Sequence, residues 1–209
     1  MRAPARRAKA GRRLPEEPMI ARIAVLCLGA LLVAACQRND LADPPADLGD
    51  FALGLNIVVA DHAQKVPISR EASVEEWGAV MKKAIDDRFG RYQGTKLYNL
   101  GISVDGYALA PPGIPVVVAP KSVVAITANI WDDAAGRKLN ETGEKMTVFE
   151  SLTGGSIVGS GYTMSKDEQM EALAYNAAKR VEGWLLGHPE WFGLPPRPPE
   201  PRAARASDK

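Results

Sequence analysis

Hydrophobic and polar positions alternate with a period of two in four separate stretches of the chain. The first stretch, residues 51–60, has the pattern of a half-buried strand. The same period appears in residues 96–110, 122–130 and 145–152. These stretches predict a sheet formed mainly by the middle of the chain. In the first stretch, the residues on the more apolar side are Leu53, Leu55, Ile57 and Val59.

Two other segments have the spacing of amphipathic helices, and each begins with a capping box. Ser73 stands three residues before Glu76, and Ser165 stands three residues before Glu168, so each pair can satisfy the free amides at a helix start. Apolar residues then recur every three or four positions, which predicts one buried face per helix. The expected buried residues are Trp77, Val80, Met81, Ala84, Ile85 and Phe89 in the first helix, and Met170, Leu173, Ala177, Val181 and Trp184 in the second.

The order of these elements predicts the fold class. One strand, one helix, about three strands and a second helix are typical of an α+β two-layer sandwich. We expect a largely antiparallel sheet of four or five strands, with both helices on one face. This single domain is expected to span residues 51–192.

The N-terminal part of the chain is typical of an export signal. An apolar run of 11 residues, 23–33, follows a short basic start and ends in Ala34-Ala35. A membrane-spanning helix needs about 20 apolar residues, so residues 1–35 are expected to be cleaved. Met19 is the favoured true start. The alternatives for residues 1–18 are a long basic n-region, a twin-arginine signal at Arg12-Arg13, and a basic nucleic-acid-binding arm, which the adjacent apolar run disfavours.

The residues Val33-Ala34-Ala35-Cys36 match the lipobox of bacterial lipoproteins, and the chain resembles that class. The resemblance implies that Cys36 becomes the first mature residue, carries lipid and anchors the protein in a membrane. The alternative is an ordinary cleavage site that is followed by a cysteine. In enteric lipoproteins an aspartate after the cysteine favours the inner membrane, and Gln37 stands here instead. The resemblance therefore implies an outer-membrane protein that faces the periplasm.

Removing residues 1–35 changes the composition of what remains. These residues hold 7 of the 26 basic and 2 of the 25 acidic side chains, so the rest of the chain has 19 basic and 23 acidic residues and a net charge of −4. A nucleic-acid partner is disfavoured by this charge. Cys27 leaves with the signal and Cys36 is the lipid site, so no thiol remains for a disulfide or a cysteine metal cluster.

Two segments lack periodicity and are expected to have no fixed structure. Residues 36–50, rich in Asp, Pro and Ala, have the composition of a flexible tether between membrane and domain. Residues 193–209 form a proline-rich tail for which we expect disorder, with contact to the cell wall or to a partner as the alternative.

No residue pattern indicates catalysis or a cofactor. His62 has no ligand-type neighbour at metal-binding spacing, and His188 follows a helix end, where a cation is favourable. The glycines of residues 153–162 lack the spacing of a phosphate loop and are more simply explained by a turn. We therefore expect a protein that is not an enzyme and carries neither a metal nor a cofactor.

Two functions of different classes remain. The predicted layout resembles periplasmic domains of uncharacterised lipoproteins and, more loosely, auxiliary lipoproteins of envelope machines. This favours a docking or accessory module for a protein partner in the envelope. The alternative is a module that binds lipid or a small ligand between sheet and helices. A deep apolar pocket would favour the ligand, and a flat apolar surface, for which residues 111–120 are a candidate, would favour the partner.

Overall fold

A computed structural model of the protein describes residues 39–112, 122–150 and 164–196. In these residues two helices pack on an open, mostly antiparallel sheet of six strands, which confirms the predicted α+β class. Two short 3-10 helices span Asp40–Ala42 and Pro189–Phe192. The strands are β1 (Phe51–Val59), β2 (Gln64–Lys65), β3 (Lys96–Ala108), β4 (Val123–Asp132), β5 (Arg137–Lys138) and β6 (Glu144–Phe149), and the helices are α1 (Val74–Phe89) and α2 (Lys166–Leu186).

Strands β3 and β4 form the antiparallel centre of the sheet. β5 and β6 pair antiparallel with the outer side of β4 and form one edge. β1 and β2 pair with β3 and form the other edge, and both run parallel to it. The parallel pairing of β1 with β3 was not expected, and it follows from the connection through α1, since a helical crossover returns the chain in the same direction.

Both helices begin at the predicted capping boxes. The Ser73 amide donates to Glu76 Oε2 at 2.8 Å, and the Ser165 amide donates to Glu168 Oε2 at 2.7 Å. The helices end at Gly90 and Gly187. Their apolar faces cover one side of the sheet, and the predicted core residues Trp77, Met81, Ile85, Phe89, Leu173, Ala177 and Val181 are fully buried.

The predicted apolar face of β1 is wrong beyond Leu53. The pairing with β3 shifts between Leu53 and Asn56, which marks a bulge at this point of the strand. The bulge reverses the faces, so Asn56 reaches α1, where its side-chain amide donates to Lys82 O at 2.9 Å. Leu55 and Ile57 are consequently turned to solvent.

The expected flexible tether is also wrong for its described part. The folded unit begins at Asp40, and Leu48 is buried in the core. Arg91 donates to the carbonyl oxygens of Leu41 at 3.0 Å and Asp43 at 2.8 Å. Specific side chains, which composition does not reveal, therefore hold this segment against the domain. Neither described helix has the length and hydropathy needed to cross a membrane.

Candidate functional site

The sequence-predicted lipid site, Cys36, lies outside the described residues, as do residues 113–120 of the candidate patch and the glycine-rich segment 153–162. His62 is exposed. His188 directly follows the end of α2, lies 3.0 Å from the Glu190 carboxylate and stacks on Trp191. Within the described ranges, no group of His, Cys, Asp or Glu side chains has the arrangement of a metal site.

The space between sheet and helices is filled by side chains. Phe51 stacks on Tyr98 with ring centroids 5.3 Å apart, and Trp77 packs on Tyr107 at the same centroid distance. The pocket at β1 and the groove between α2 and β6, described below, lie at the margins of this core. The packed aromatic side chains therefore do not favour the acyl-chain pocket that the ligand hypothesis requires.

Exposed apolar side chains concentrate along the β1–β2 edge. Leu55 is 58% exposed, and the other members of this group are about half exposed or more. β1 has nine residues, contains neither lysine nor proline, and pairs on one side only among the described strands. Edge strands usually carry such residues as protection against pairing with another chain. We call this group the edge strip; its members are Leu55, Ile57, Val59, Val66 and Ile68.

A shallow pocket, which we call the edge pocket, adjoins the edge strip on the free face of the sheet. It has a volume of about 220 Å³ and lies between Leu55, Ile57 and the ring of Trp131. Gly101 makes room for this ring, because a Cβ atom at Gly101 would lie 2.9 Å from it. Asp132 also lines the pocket. The edge pocket can thus receive an apolar side chain of a partner, and the Asp132 carboxylate favours a cationic residue beside that side chain.

Ile68 is the most unusual member of the edge strip. It is 74% exposed and has a φ of 65°, in the left-handed region that β-branched residues avoid. Two residues before it, the Val66 amide donates to Tyr107 O near the end of β3 at 2.9 Å. Two residues after it, the Arg70 amide donates to Leu109 O just beyond β3 at 3.0 Å. The backbone is thus held on both sides of a strained, exposed isoleucine, a combination found at binding surfaces.

A second cluster of polar groups lies where α1, α2 and the N-terminal segment meet. Arg88, one of the charged residues of α1, is only 1% exposed. Its guanidinium donates to Glu182 Oε2 at 2.7 Å and to Asp40 Oδ1 at 2.5 Å. Asp40 also accepts a hydrogen bond from Tyr175 and pairs with Lys179 at 2.8 Å. We call these five residues the Asp40 cluster.

The electrostatics of the Asp40 cluster keep its groups charged and paired. Burial raises the pKa of the Asp40 carboxyl, but hydrogen bonds from Arg88, Lys179 and Tyr175 outweigh this and hold the pKa well below its usual range. Burial, followed by the hydrogen bond to Glu182, raises the pKa of Tyr92 far above its ordinary value. Tyr92 therefore stays protonated and donates to Glu182 Oε1 at 2.8 Å.

A groove runs along α2 beside this cluster. It has a volume of about 580 Å³ and passes between α2 and the start of β6. Gly183 lies at its wall, and a Cβ atom there would meet nothing within 4 Å. We call this the α2 groove; its lining residues include Lys179, Arg180, Trp184, His188 and Glu144.

Sequence reasoning missed both the edge strip and the Asp40 cluster. The edge strip depends on a strand bulge, for which Gly54 between two leucines is a weak signal. The cluster joins residues 48 and 94 positions apart in the chain. Arg88 stands among charged residues of α1, so periodicity alone gives no reason to bury it.

No family model and no curated protein matches the chain. Among solved structures, the Xanthomonas campestris protein XCC0632 of the DUF330 family shares 14% identity at a TM-score of 0.45, covering 68% of this chain and 87% of that chain. A candidate lipoprotein from Caulobacter crescentus CB15 shares 16% identity at a TM-score of 0.37, with 66% and 90% covered. The PelC dodecamer from Paraburkholderia phytofirmans shares 11% identity at a TM-score of 0.35, with 66% and 91% covered.

Proposed function

We propose that the protein is a non-catalytic envelope lipoprotein that docks a protein partner along the edge strip. The lipobox at Cys36 supports the lipid anchor, and Gln37 supports placement in the outer membrane, facing the periplasm. The observation that carries the docking role is that β1 is exposed and, among the described strands, pairs on one side only. The backbone groups on its other side can pair with an added strand of the partner, while the edge pocket selects one of the partner's side chains.

The size of the apolar contribution fits a specific, reversible contact. Leu55, Ile57 and Val59 are 58%, 50% and 43% exposed, so covering them removes about half of each side chain from water. Full burial of such a side chain stabilises by about 1.5 to 3 kcal/mol, so covering the exposed halves of all three contributes about 2 to 4.5 kcal/mol. Backbone hydrogen bonds along the nine residues of β1 would add to this.

Site-specific photo-crosslinking in native envelopes tests the docking role. A benzophenone amino acid replaces Ile57 in one chain and Lys83 in a control chain. Lys83 is also well exposed, but it lies on α1. We expect a discrete adduct with another protein from position 57 and none from position 83.

Competition makes this test specific for the edge strip. An excess of the unmodified chain should suppress the adduct, whereas a chain with Ile57→Asp and Val59→Asp should not. Adducts of equal yield from both positions, or equal suppression by both competitors, would contradict the proposal. An adduct between two copies of this chain would indicate self-association and would contradict the proposal of a separate protein partner.

A further inference from the structure

The Asp40 cluster fixes the chain close to the proposed lipid site. Only Gln37, Arg38 and Asn39 separate Cys36 from Asp40. A fully extended chain spans at most about 3.3 to 3.6 Å per residue, so Asp40 lies within about 14 Å of Cys36. The headgroup layer on one side of a bilayer is itself about 6 Å thick. A lipid on Cys36 therefore brings the surface around Asp40 against the headgroups.

The α2 groove opens on that surface. Lys179 lines the groove, and its Nζ atom is 2.8 Å from the Asp40 carboxylate. Asp40 bonds to side chains of both α1 and α2, so the helix layer carries the point at which the chain leaves for the membrane. The groove and the exit point of the chain are thus parts of one surface.

The lining of the groove is suited to an anionic headgroup. Arg180 is exposed and forms no ion pair within the described part of the chain, so its charge is available to a ligand. Lys179 adds a second cation and Glu144 a single carboxylate. Trp184 adds an indole ring, a group that concentrates at the boundary between headgroups and acyl chains. Gly183 leaves the backbone of α2 uncovered, so a bulky group can approach it closely.

We infer that the α2 groove binds the anionic headgroup of a phospholipid in the membrane that holds Cys36. Arg180 and Lys179 would contact the phosphate, and Trp184 would lie at the level of the glycerol backbone. This inference rests on the anchoring part of the proposed function and adds a lipid ligand to it. It gives the domain a preferred orientation on the membrane, with the α2 groove facing the bilayer.

Chemical anchoring tests the groove separately from cellular acylation. The mature chain, which begins at Cys36, has this residue as its only cysteine. Its thiol is coupled to a maleimide lipid in vesicles of phosphatidylcholine alone or with 30 mol% phosphatidylglycerol. Replacing Trp131 by Phe removes the tryptophan at the edge pocket, and Trp77 is fully buried. Quenching by brominated lipids then reports on Trp184 and its neighbour Trp191.

Three variants separate charge, space and general electrostatics. Arg180→Glu reverses the available charge. Gly183→Leu places a bulky side chain at the groove wall, where a Cβ atom meets nothing within 4 Å. Arg137→Glu makes the same charge change at an exposed position on β5 that does not line the groove. One cation close to an anionic membrane contributes about a fivefold preference, so Arg180→Glu should lower the preference for brominated phosphatidylglycerol at least about fivefold. Gly183→Leu should also lower it, whereas Arg137→Glu should leave it unchanged.

Two results would overturn the inference. One is equal quenching by brominated phosphatidylglycerol and brominated phosphatidylcholine in the Trp131→Phe chain that carries no further substitution. The other is an equal effect of Arg180→Glu and Arg137→Glu, which would indicate a diffuse charge effect. Loss of the preference in 10 mM inorganic phosphate would show that the groove takes the free anion in place of the lipid. Since the anchor is chemical, failure here leaves acylation of Cys36 to its own test.

Discussion

Replacing Arg88 by methionine should destabilise the protein strongly. Methionine keeps most of the aliphatic volume but removes the guanidinium that pairs with Glu182 and Asp40. The variant leaves two carboxylates without their shared cation where α1 meets α2. Glu182 is the more deeply buried of the two, with a side chain that is 9% exposed.

The magnitude follows from the burial of the partners. Removing one member of a buried ion pair typically costs about 3 to 5 kcal/mol. The lower end applies here, because Asp40 keeps Lys179 at 2.8 Å and is partly exposed, and Arg91 remains 3.6 Å from Glu182. We therefore expect a loss of about 3 kcal/mol in the free energy of unfolding. With a urea m-value of about 2 kcal/mol/M, the midpoint falls by about 1.5 M.

Urea unfolding followed by circular dichroism measures this loss. Lys83→Met is the matched control, because Lys83 pairs with Asp87 on the exposed side of the same helix, and such pairs contribute less than about 1 kcal/mol. The double variant Arg88→Met/Glu182→Met should lose less than Arg88→Met alone, since it no longer buries that unpaired charge. A loss for Arg88→Met below about 1 kcal/mol, similar to that of Lys83→Met, would refute this account of the cluster.

Three further outcomes are expected. Gly94→Ala should destabilise by about 2 kcal/mol in thermal unfolding, because its Cβ would lie 2.4 Å from a backbone oxygen of β1, whereas Gly78→Ala in α1 meets nothing and should stabilise by about 0.5 to 1 kcal/mol. Ile68→Gly should stabilise by about 1 kcal/mol by relieving the positive φ, yet weaken crosslinking along the edge strip. The pKa of the Asp40 carboxyl is lowered in the folded protein. Its contribution to the free energy of unfolding is therefore complete above the unfolded pKa of 3.8 and is lost as pH falls below that value. The difference in free energy of unfolding between wild type and Asp40→Asn should be constant from about pH 5 to 7 and shrink below pH 3.8.

The helices were predictable because their signals are local. Each capping box is complete within four residues, and the apolar spacing that follows identifies the buried face without reference to the rest of the chain. The helix-ending glycines Gly90 and Gly187 are equally local. The fold class then follows from the order of the elements, since few layered arrangements accommodate it.

The binding surfaces were less predictable because they depend on distant parts of the chain. The bulge after Leu53 is fixed by the pairing of β1 with β3, more than 40 residues away, and it turns apolar residues to solvent. The N-terminal segment is held through Arg88, a charged residue that periodicity alone gives no reason to bury. In each case a local pattern was outweighed by a tertiary contact, and both cases lie at proposed functional surfaces.

The ordered N-terminal segment changes what the proposed anchor can do. A flexible tether of 14 residues would have an average reach of about 20 Å and would let the domain turn freely. With Asp40 held by both helices, only the residues between Cys36 and Asp40 would separate the proposed anchor from the folded domain, and the helix layer would be kept at the membrane. The helices cover one face of the sheet, so the free face points away from the helix layer. The edge strip lies along the edge of this sheet. A partner strand could then reach β1 without displacing the lipid contact, so membrane binding and partner docking would use separate surfaces of one small domain.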